Sequence, residues 1–343
     1  MDQKPILGIT MGDPAGIGPE IAAKALTHEK VYEMCRPLVI GDAEVMKQAL
    51  GIAKVDGKIR INPVAKVEDA RFQYGVIDVF DLHNVDISKL VYGKVSAMCG
   101  KAAFEAVEKV IELAKSGEID ATVTGPINKE AINAAGFHFS GHTEIYAHFT
   151  GTQDYSMLLA EGNLRVVHVS THVSLRRACD LVKKDRVLDV IKLAYDACRK
   201  FGIGEPKIGV AGLNPHAGEN GMFGNEETDE IIPAIEAAKK AGINAEGPIP
   251  PDTLYSKAAG GLYDIVVAMY HDQGHIPLKV LGFKWNGAKN SWDAVSGVNV
   301  TLGLPIIRIS VDHGTAFGKA GKGTAIEDSL LGAIEYGIKL TRK

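Results

Sequence analysis

The sequence predicts an α/β fold built on mostly parallel β-sheets, and three observations support this prediction. Short apolar segments rich in Ile and Val alternate with amphipathic helical patterns along the 343 residues. These segments are apolar on both faces, as expected for strands buried in a parallel sheet. Polar turns that contain Gly or Pro follow most of them. Because ligands of such sheets bind beyond the carboxyl ends of the strands, the segments after the strands are the first place to look for a site.

The predicted elements follow one another from the N-terminus. The predicted strands are PILGITM, RPLVIGD, GVIDVFDL, IDATVTGP, RVVHVST, KIGVAGLNP, YDIVVAMY and LPIIRISVD. The predicted helices include GPEIAAKAL, AEVMKQAL, KAAFEAVEKVIELAKSG, a helix after the N-cap Asn128, and NEETDEIIPAIEAAKKAG, which is acidic early and basic late. We expect two lobes, one formed by residues 1–120 plus 300–343 and the other by residues 121–299.

The composition restricts the class of protein. Hydrophobic residues make up 46% and charged residues 23% of the chain, which argues against disorder and membrane insertion. The net charge of −4 and the lack of a basic patch argue against nucleic acid as the main partner. The N-terminus resembles neither a signal peptide nor a membrane span, so we expect a cytoplasmic protein without a membrane partner.

Polar residues with metal-binding or catalytic chemistry cluster where predicted strands end. They occur in GHTE (141–144), STH (170–172), NPHAGE (214–219), PPDT (250–253) and YHDQGH (270–275). One histidine in such a place is more often a hydrogen-bonded structural residue. Histidines at several strand ends can instead build an open metal site, because imidazole is the commonest side-chain ligand at neutral pH.

Two cations are candidate anion-binding groups. Lys279 follows, and Arg308 lies within, an apolar context where an uncompensated charge is costly. A structural ion pair is the alternative for each. The glycine-rich segment 11–20, MGDPAGIGPE, opens a helix and could offer backbone amides to an anion, but it lacks the dinucleotide fingerprint.

Six segments together resemble the 4-hydroxythreonine-4-phosphate dehydrogenase family. They are GITMGDPAGIGPEI, TGPINKEAI, GHTE, NPHAGENGMFGNEE, YHDQGHIPLK and GVNVTLGLPIIRISVDHGTAFG, and the match runs almost end to end, from about residue 5 to residue 325. The resemblance implies a two-lobed isocitrate/isopropylmalate dehydrogenase-like fold with an active-site cleft between the lobes. It also implies a homodimer with a shared active site, a cofactor that is NAD or NADP, and a divalent metal.

The resemblance also assigns residues to roles. The implied metal ligands are His172, His216 and His271, and the implied substrate contacts are His142, Thr143, Lys279, Asn299 and Arg308. The metal could be Zn, Co, Mn, Ni or Mg. Candidates for the catalytic base are Asp252, Asp272 and a metal-linked water, although each aspartate could equally orient a ligand histidine. Lys279 is a further candidate catalytic residue.

The implied reaction is NAD-dependent oxidation and decarboxylation of a 4-phosphorylated C4 3-hydroxy acid. The substrate would be 4-phosphooxy-L-threonine, or D-threonate or D-erythronate 4-phosphate. His275 favours the latter pair, because the biosynthetic branch of the family usually has an apolar residue there. A second departure is the long segment 284–297, KWNGAKNSWDAVSG, which could remodel the substrate pocket or form a surface hairpin, and we favour the surface hairpin.

Two other functions are alternatives to this one. A dihydrodiol dehydrogenase of the same family, acting on an aromatic ring carboxylate, would keep the metal histidines without needing a phosphate-binding site. Lys279, Asn299 and Arg308 together favour a phosphorylated substrate. A non-catalytic metal- or anion-binding protein would be expected to have lost ligands, and every matching position is filled.

Overall fold

The structure, a computed structural model, describes residues 4–288 and 290–341, and only the backbone of residues 291–295. Its strands are β1 (Ile6–Thr10), β2 (Arg36–Gly41), β3 (Arg60–Val64), β4 (Val76–Asp81), β5 (Ala121–Thr124), β6 (Ser156–Glu161), β7 (Leu164–His168), β8 (Ile208–Ala211), β9 (Ala245–Ile249), β10 (Ile265–Ala268), β11 (Phe283–Asn286), β12 (Ser291–Val295), β13 (Val298–Leu302) and β14 (Arg308–Val311).

The α-helices lie mostly between strands, which is the alternation that the sequence predicts. They are α1 (Gly18–Ala25), α2 (Glu29–Met34), α3 (Ala43–Ala53), α4 (Ala97–Ser116), α5 (Lys129–Ala134), α6 (His142–Thr150), α7 (Leu175–Leu181), α8 (Lys184–Lys200), α9 (Ile232–Lys240), α10 (Pro251–Ala259), α11 (His271–Gly282) and α12 (Asp328–Thr341). No helix within residues 4–288 or 290–341 has the length and apolarity that a membrane crossing needs.

The chain divides into two units. The first runs to Gln153 and resumes at Leu304, and the second comprises Asp154–Gly303. Both boundaries differ from those expected from the sequence. The segment 121–153 joins the first unit because β5 pairs with β1, and the second unit extends to Gly303 because β13 pairs with β6 as far as Leu302.

The first unit contains a parallel sheet in the order β3-β4-β2-β1-β5-β14. Helix α4 buries Val107, Val110 and Ile111 in the core of this unit. The helix lies so close to β1 that a Cβ at Gly8 would be 2.7 Å from Val110 Cγ2. Each such side chain contributes roughly 1.5–3 kcal/mol on full burial, so this layer is a major source of the unit's stability.

The second unit contains a mixed sheet in the order β13-β6-β7-β10-β8-β9. Strands β7, β10, β8 and β9 are parallel, whereas β6 pairs antiparallel with both β13 and β7. The prediction of an α/β fold with mostly parallel sheets is therefore confirmed. Strands β11 and β12 form a separate antiparallel pair from the segment predicted as a hairpin, in which residue 289 and the side chains of 291–295 lie outside the described residues.

Local signals explain several helix starts. Asn128 is the N-cap of α5 as predicted, and its Oδ1 accepts a hydrogen bond from the Ala131 amide at 2.8 Å. Asp42 caps α3 by accepting hydrogen bonds from the amides of Glu44 and Val45. Helix α9 follows a π-helical turn at Glu227–Ile231 and has Lys239 and Lys240 in its last turn, as the charge pattern indicates.

Candidate active site

Two of the three predicted metal ligands lie together in the second unit. Strands β7 and β10 are parallel neighbours, with His168 opposite Ala268, so the residues that follow each strand meet at one edge of the sheet. His172 follows β7 and His271 follows β10 as the first residue of α11. Their ring centroids are 5.7 Å apart. With Zn–N bonds of about 2.0–2.1 Å, two imidazoles on one ion have centroids roughly 5–6 Å apart, so this pair fits a divalent metal.

Asp272 orients one of these two rings. Its Oδ1 lies 2.7 Å from His271 Nδ1. Since an ionised carboxylate only accepts hydrogen bonds, Nδ1 is the donor, and in the neutral ring Nε2 is then the nitrogen with the lone pair. A carboxylate on the distal nitrogen is the usual partner of a metal-binding histidine. The pair borders a cavity of about 480 Å³ lined by Thr171, His172, Val173, Ser174, Leu175, Ala178, Tyr270, His271 and Asp272.

Two further histidines lie behind His271. The ring of His275 stacks on it at 3.6 Å with an interplanar angle of 11°, and the ring of His168 lies 4.8 Å from that of His275. Burial, followed by the neighbouring imidazoles His168 and His271, lowers the pKa of His275 to about 3. Burial likewise lowers the pKa of His168 to about 4. Both rings are therefore neutral at pH 7.

Helix α11 is tied to the sheet by Gln273. This buried side chain accepts a hydrogen bond from the Met269 amide at 2.7 Å and donates one to the Gly212 carbonyl at 2.8 Å. The glutamine thus connects the ends of β10 and β8. Sequence analysis did not single out Gln273 or His168, and the only signal for His168 is its place in an otherwise apolar strand.

His216, the third predicted ligand, lies in an unusual backbone segment. Residues 216–220 all have positive φ, between 42° and 81°. Buried Glu227 holds the start of this loop, because it accepts hydrogen bonds from the amides of Leu213 and Asn214 at 2.8 and 2.7 Å. His216 is exposed, and its ring lies 6.2 Å from that of Phe223.

The structure does not assemble all three histidines within one chain. Among residues 4–288 and 290–341, no group of three or more His, Cys, Asp or Glu side chains is placed to hold a metal ion. The ring of His172 lies beside that of His271, and the ring contact that the structure shows for His216 is with Phe223.

The remaining predicted residues of the second unit are placed separately. Lys279 lies in the last turn of α11, two turns after His271, with its Nζ 4.1 Å from the ring centroid of Phe283. Asn299 lies on β13, and its buried Oδ1 has no hydrogen-bond partner among the described residues. Asp252 is exposed in the first turn of α10, so its carboxyl group can exchange protons with the solvent.

The first unit contains a buried cationic site. Arg308, the first residue of β14, is 3% exposed and donates a hydrogen bond from Nη2 to Thr124 Oγ1 at 3.2 Å. Its guanidinium lies 5.7 Å from the ring centroid of Tyr146, whose hydroxyl donates to Thr122 Oγ1 at 2.9 Å. Burial lowers the pKa of Arg308 to about 10, so the side chain still carries its charge at pH 7.

His142 and Thr143 begin α6, one turn before Tyr146. Burial, and then the charges of Arg308 and Lys129, hold the pKa of His142 well below its ordinary value of 6.5. The buried Nε2 of His142 has no hydrogen-bond partner among the described residues. A neutral imidazole beside a buried guanidinium can bind an oxyanion or a hydroxyl group. Sequence analysis missed Tyr146, Thr122 and Thr124, although Tyr146 follows His142 by four residues on the same helix.

Comparison with known proteins now identifies the family. The family described as "Pyridoxal phosphate biosynthetic protein PdxA" matches residues 33–337, and the chain belongs to it. This finding confirms the resemblance seen in the sequence. D-threonate 4-phosphate dehydrogenase of Cupriavidus necator is 47% identical over 343 residues, which cover 100% of this chain and 99% of that protein.

Solved structures agree on the fold. A 4-hydroxythreonine-4-phosphate dehydrogenase from Burkholderia phymatum is 46% identical, with 99% of each chain covered and a TM-score of 0.84. The enzyme of that name from Klebsiella pneumoniae is 40% identical, with 100% of each chain covered and a TM-score of 0.86. A terephthalate 1,2-cis-dihydrodiol dehydrogenase from Burkholderia xenovorans is 31% identical, with 98% of each chain covered and a TM-score of 0.68.

Proposed function

We propose that this protein is a dehydrogenase that oxidises the hydroxyl group of a 4-phosphorylated C4 hydroxy acid, with NAD (or NADP) as acceptor and a divalent metal ion. D-threonate 4-phosphate and D-erythronate 4-phosphate are the favoured substrates, and 4-phosphooxy-L-threonine is the third candidate. The names of the full-length relatives support the substrate class. The observation that carries the metal-dependent part is the carboxylate-oriented imidazole pair His172 and His271.

The predicted ligands His172, His216 and His271 would hold the metal. When bound, a divalent ion supplies Lewis-acid stabilisation of the deprotonated hydroxyl and of the enolate formed when the 3-oxo acid loses carbon dioxide. When bound, NAD supplies the hydride acceptor. The Nδ1–H of His271 donates to Asp272, so Nε2 is the nitrogen of this ring that would bind the metal.

Charged residues would bind the acidic ends of the substrate. Arg308 is fixed by Thr124 and Tyr146 before any ligand arrives, which lowers the entropic cost of binding an oxyanion. His142 offers an unpartnered buried nitrogen next to that charge. Lys279 and Asn299 are the corresponding candidates in the second unit.

The proton of the substrate hydroxyl needs an acceptor. Asp272 is engaged with His271 through Oδ1, which favours an orienting role for this carboxylate. Asp252 is exposed at the start of α10, so it stays the candidate base with access to solvent.

We also propose a homodimer with a shared active site. One chain brings two of the predicted metal ligands together, so a second chain is the natural source of the third. The same unit exposes apolar side chains on α11, where Ile276 is 59%, Val280 69% and Leu281 40% exposed. Light scattering coupled to gel filtration should give twice the mass of the 36.6-kDa chain. A single-chain mass would contradict the shared site.

The substrate proposal is tested by NAD reduction at 340 nm with metal-supplemented protein. D-threonate 4-phosphate, D-erythronate 4-phosphate and 4-phosphooxy-L-threonine are compared at equal concentration, with His271→Ala as the control. We expect turnover of the two sugar-acid phosphates and its loss in the variant. Turnover of an aromatic cis-dihydrodiol carboxylate alone would assign the protein instead to the function of its relative from Burkholderia xenovorans.

A further inference from the structure

His275 and His168 are two neutral imidazoles that the proposed reaction does not use. They form one column with His271, in which the ring of His275 lies between the other two. The column starts in the sheet, since His168 is the last residue of β7 and is 1% exposed. It ends at His271, which borders the cavity. The arrangement therefore connects a rigid part of the second unit to a predicted metal ligand.

The inner end of the column is fixed by the sheet. His168 Nδ1 lies 3.2 Å from the Met157 carbonyl oxygen, so this nitrogen donates and the ring orientation is set. The helix approaches this ring very closely, because a Cβ at Gly274 would lie 2.3 Å from His168 Nε2. Only glycine allows α11 to pass the imidazole at this distance. The ring of His275, the next residue, can then contact His168.

His275 is held at two points of its own. Its Nδ1 lies 2.9 Å from the carbonyl oxygen of His271, one helical turn earlier, so Nδ1 donates and the ring turns toward the start of the helix. The ring plane is then nearly parallel to that of His271, with centroids 3.6 Å apart. His275 therefore covers one face of the His271 ring.

The polar contact of His271 cannot set its ring orientation alone. Asp272 is the neighbouring residue, its side chain is 70% exposed, and a hydrogen bond to such an exposed group restrains rotation of the ring only weakly. A flat ring stacked on one face restricts that rotation. We infer that His275 is a positioning residue for His271, which it holds by stacking so that the Nδ1–H bonds Asp272 and Nε2 is presented as a metal ligand. The metal-binding part of this inference rests on the proposed function, whereas the stacking of His275 on His271 does not.

Two substitutions separate stacking from hydrogen bonding. His275→Phe keeps a flat ring and loses the bond to the His271 carbonyl, whereas His275→Leu loses both. His28→Leu is the matched control, because His28 is an exposed histidine of the first unit. Thermal melts by circular dichroism establish that each variant is folded before it is compared.

The first readout needs no metal. With ¹⁵N-labelled histidine, long-range ¹H–¹⁵N spectra report the tautomer of His271, whose signals are assigned by their loss in His271→Ala. We expect one Nδ1–H tautomer in the wild type, His275→Phe and His28→Leu, and a mixture in His275→Leu. A single Nδ1–H tautomer in His275→Leu would overturn the inference, whatever the metal does.

The second readout is Co²⁺ affinity, measured from the visible absorption of the bound ion. We expect His275→Leu to weaken binding 10- to 100-fold, as loss of an orienting partner does, and His275→Phe to stay within about threefold of the wild type. Equal losses in both variants would overturn the role of stacking. If the wild type binds no Co²⁺, the proposed metal dependence fails, and the tautomer measurement still decides the role of His275.

Discussion

Replacing Glu227 by Gln should release the loop that carries His216. Residues 216–220 have left-handed backbone angles, and four of these five residues are not glycine. At about 1–2 kcal/mol for each non-glycine residue, this conformation costs roughly 4–8 kcal/mol. Contacts outside the segment must offset that cost. Buried Glu227 supplies some of them through its hydrogen bonds to the start of the loop.

The size of the effect follows from the contacts of the carboxylate. Oε1 accepts hydrogen bonds from the amides of Leu213 and Asn214, and Oε2 accepts one from Asn214 Nδ2 at 2.9 Å. In Glu227→Gln the two amide bonds lose their charge assistance, about 1 kcal/mol each, and a donor faces the Asn214 donor at a further cost of about 1–3 kcal/mol. We therefore expect local opening to become easier by roughly 3–5 kcal/mol, or about 150- to 5000-fold.

Hydrogen–deuterium exchange measured by mass spectrometry tests this expectation. A peptide that covers residues 208–225 should exchange faster in Glu227→Gln by the stated factor, while peptides of α4 in the first unit should not change. Glu226→Gln is the matched control, since Glu226 accepts only from Asn214 Nδ2 and is half-buried. Unchanged exchange in Glu227→Gln, or an equal effect of Glu226→Gln, would show that the Glu227 carboxylate does not hold this loop.

Three further substitutions test other parts of the structure. Arg308→Met should raise KM for a 4-phosphorylated substrate 10- to 100-fold. It should not lower Tm, because the buried charge and its desolvation cost are removed together. An unchanged KM would exclude Arg308 from substrate binding. Gly274→Ala should lower the free energy of unfolding by about 1 kcal/mol, because the clash with His168 costs more than the gain in helix propensity. Urea denaturation measures this change, and a higher urea midpoint in the variant would contradict the described packing. Asp13→Asn should stabilise the protein above pH 6 and have little effect below pH 4. A pH-independent effect would contradict a raised pKa of Asp13 in the folded state.

The sign of the Asp13 effect follows from burial. Burial raises the pKa of Asp13 to about 6 from the ordinary 3.8, so the folded state binds a proton that the unfolded state has released between these values. Stability therefore falls as the pH rises from 4 to 6 and stays reduced above 6. The pKa difference corresponds to a loss of at most roughly 3 kcal/mol in the free energy of unfolding. Urea midpoints of the wild type and of Asp13→Asn at pH 4, 5, 6 and 7.5 measure this loss.

Periodicity and capping residues predicted much of the fold because they act locally. The Asn128 cap, the parallel strands and the charge pattern of α9 all depend on neighbours within one element. Helix α11 was not predicted, since Gly274 and Pro277 both disfavour a helix interior and only the packing of Gly274 on His168 explains the glycine. Strand β6 was missed as well, although it joins β13 to β7.

The site was less predictable than the fold, because its geometry depends on which strands are neighbours. The pairing of β7 with β10 brings His172 and His271 together, and no spacing in the sequence reveals it. The left-handed loop before Glu227 is equally invisible, since Ala217 and Glu219 have no local preference for such backbone angles. The aromatic and hydroxyl partners of Arg308 come from α6 and β5, far apart in the chain.

We propose above that the protein oxidises and decarboxylates a 4-phosphorylated C4 hydroxy acid with a bound metal. The most direct test measures NADH formation and carbon dioxide release together, with D-threonate 4-phosphate as substrate, before and after removal of metal with a chelator. We predict one carbon dioxide per NADH, loss of both after chelation, and recovery when Co²⁺ or Mn²⁺ is returned. NADH without carbon dioxide, or a rate that survives complete metal removal, would contradict the account.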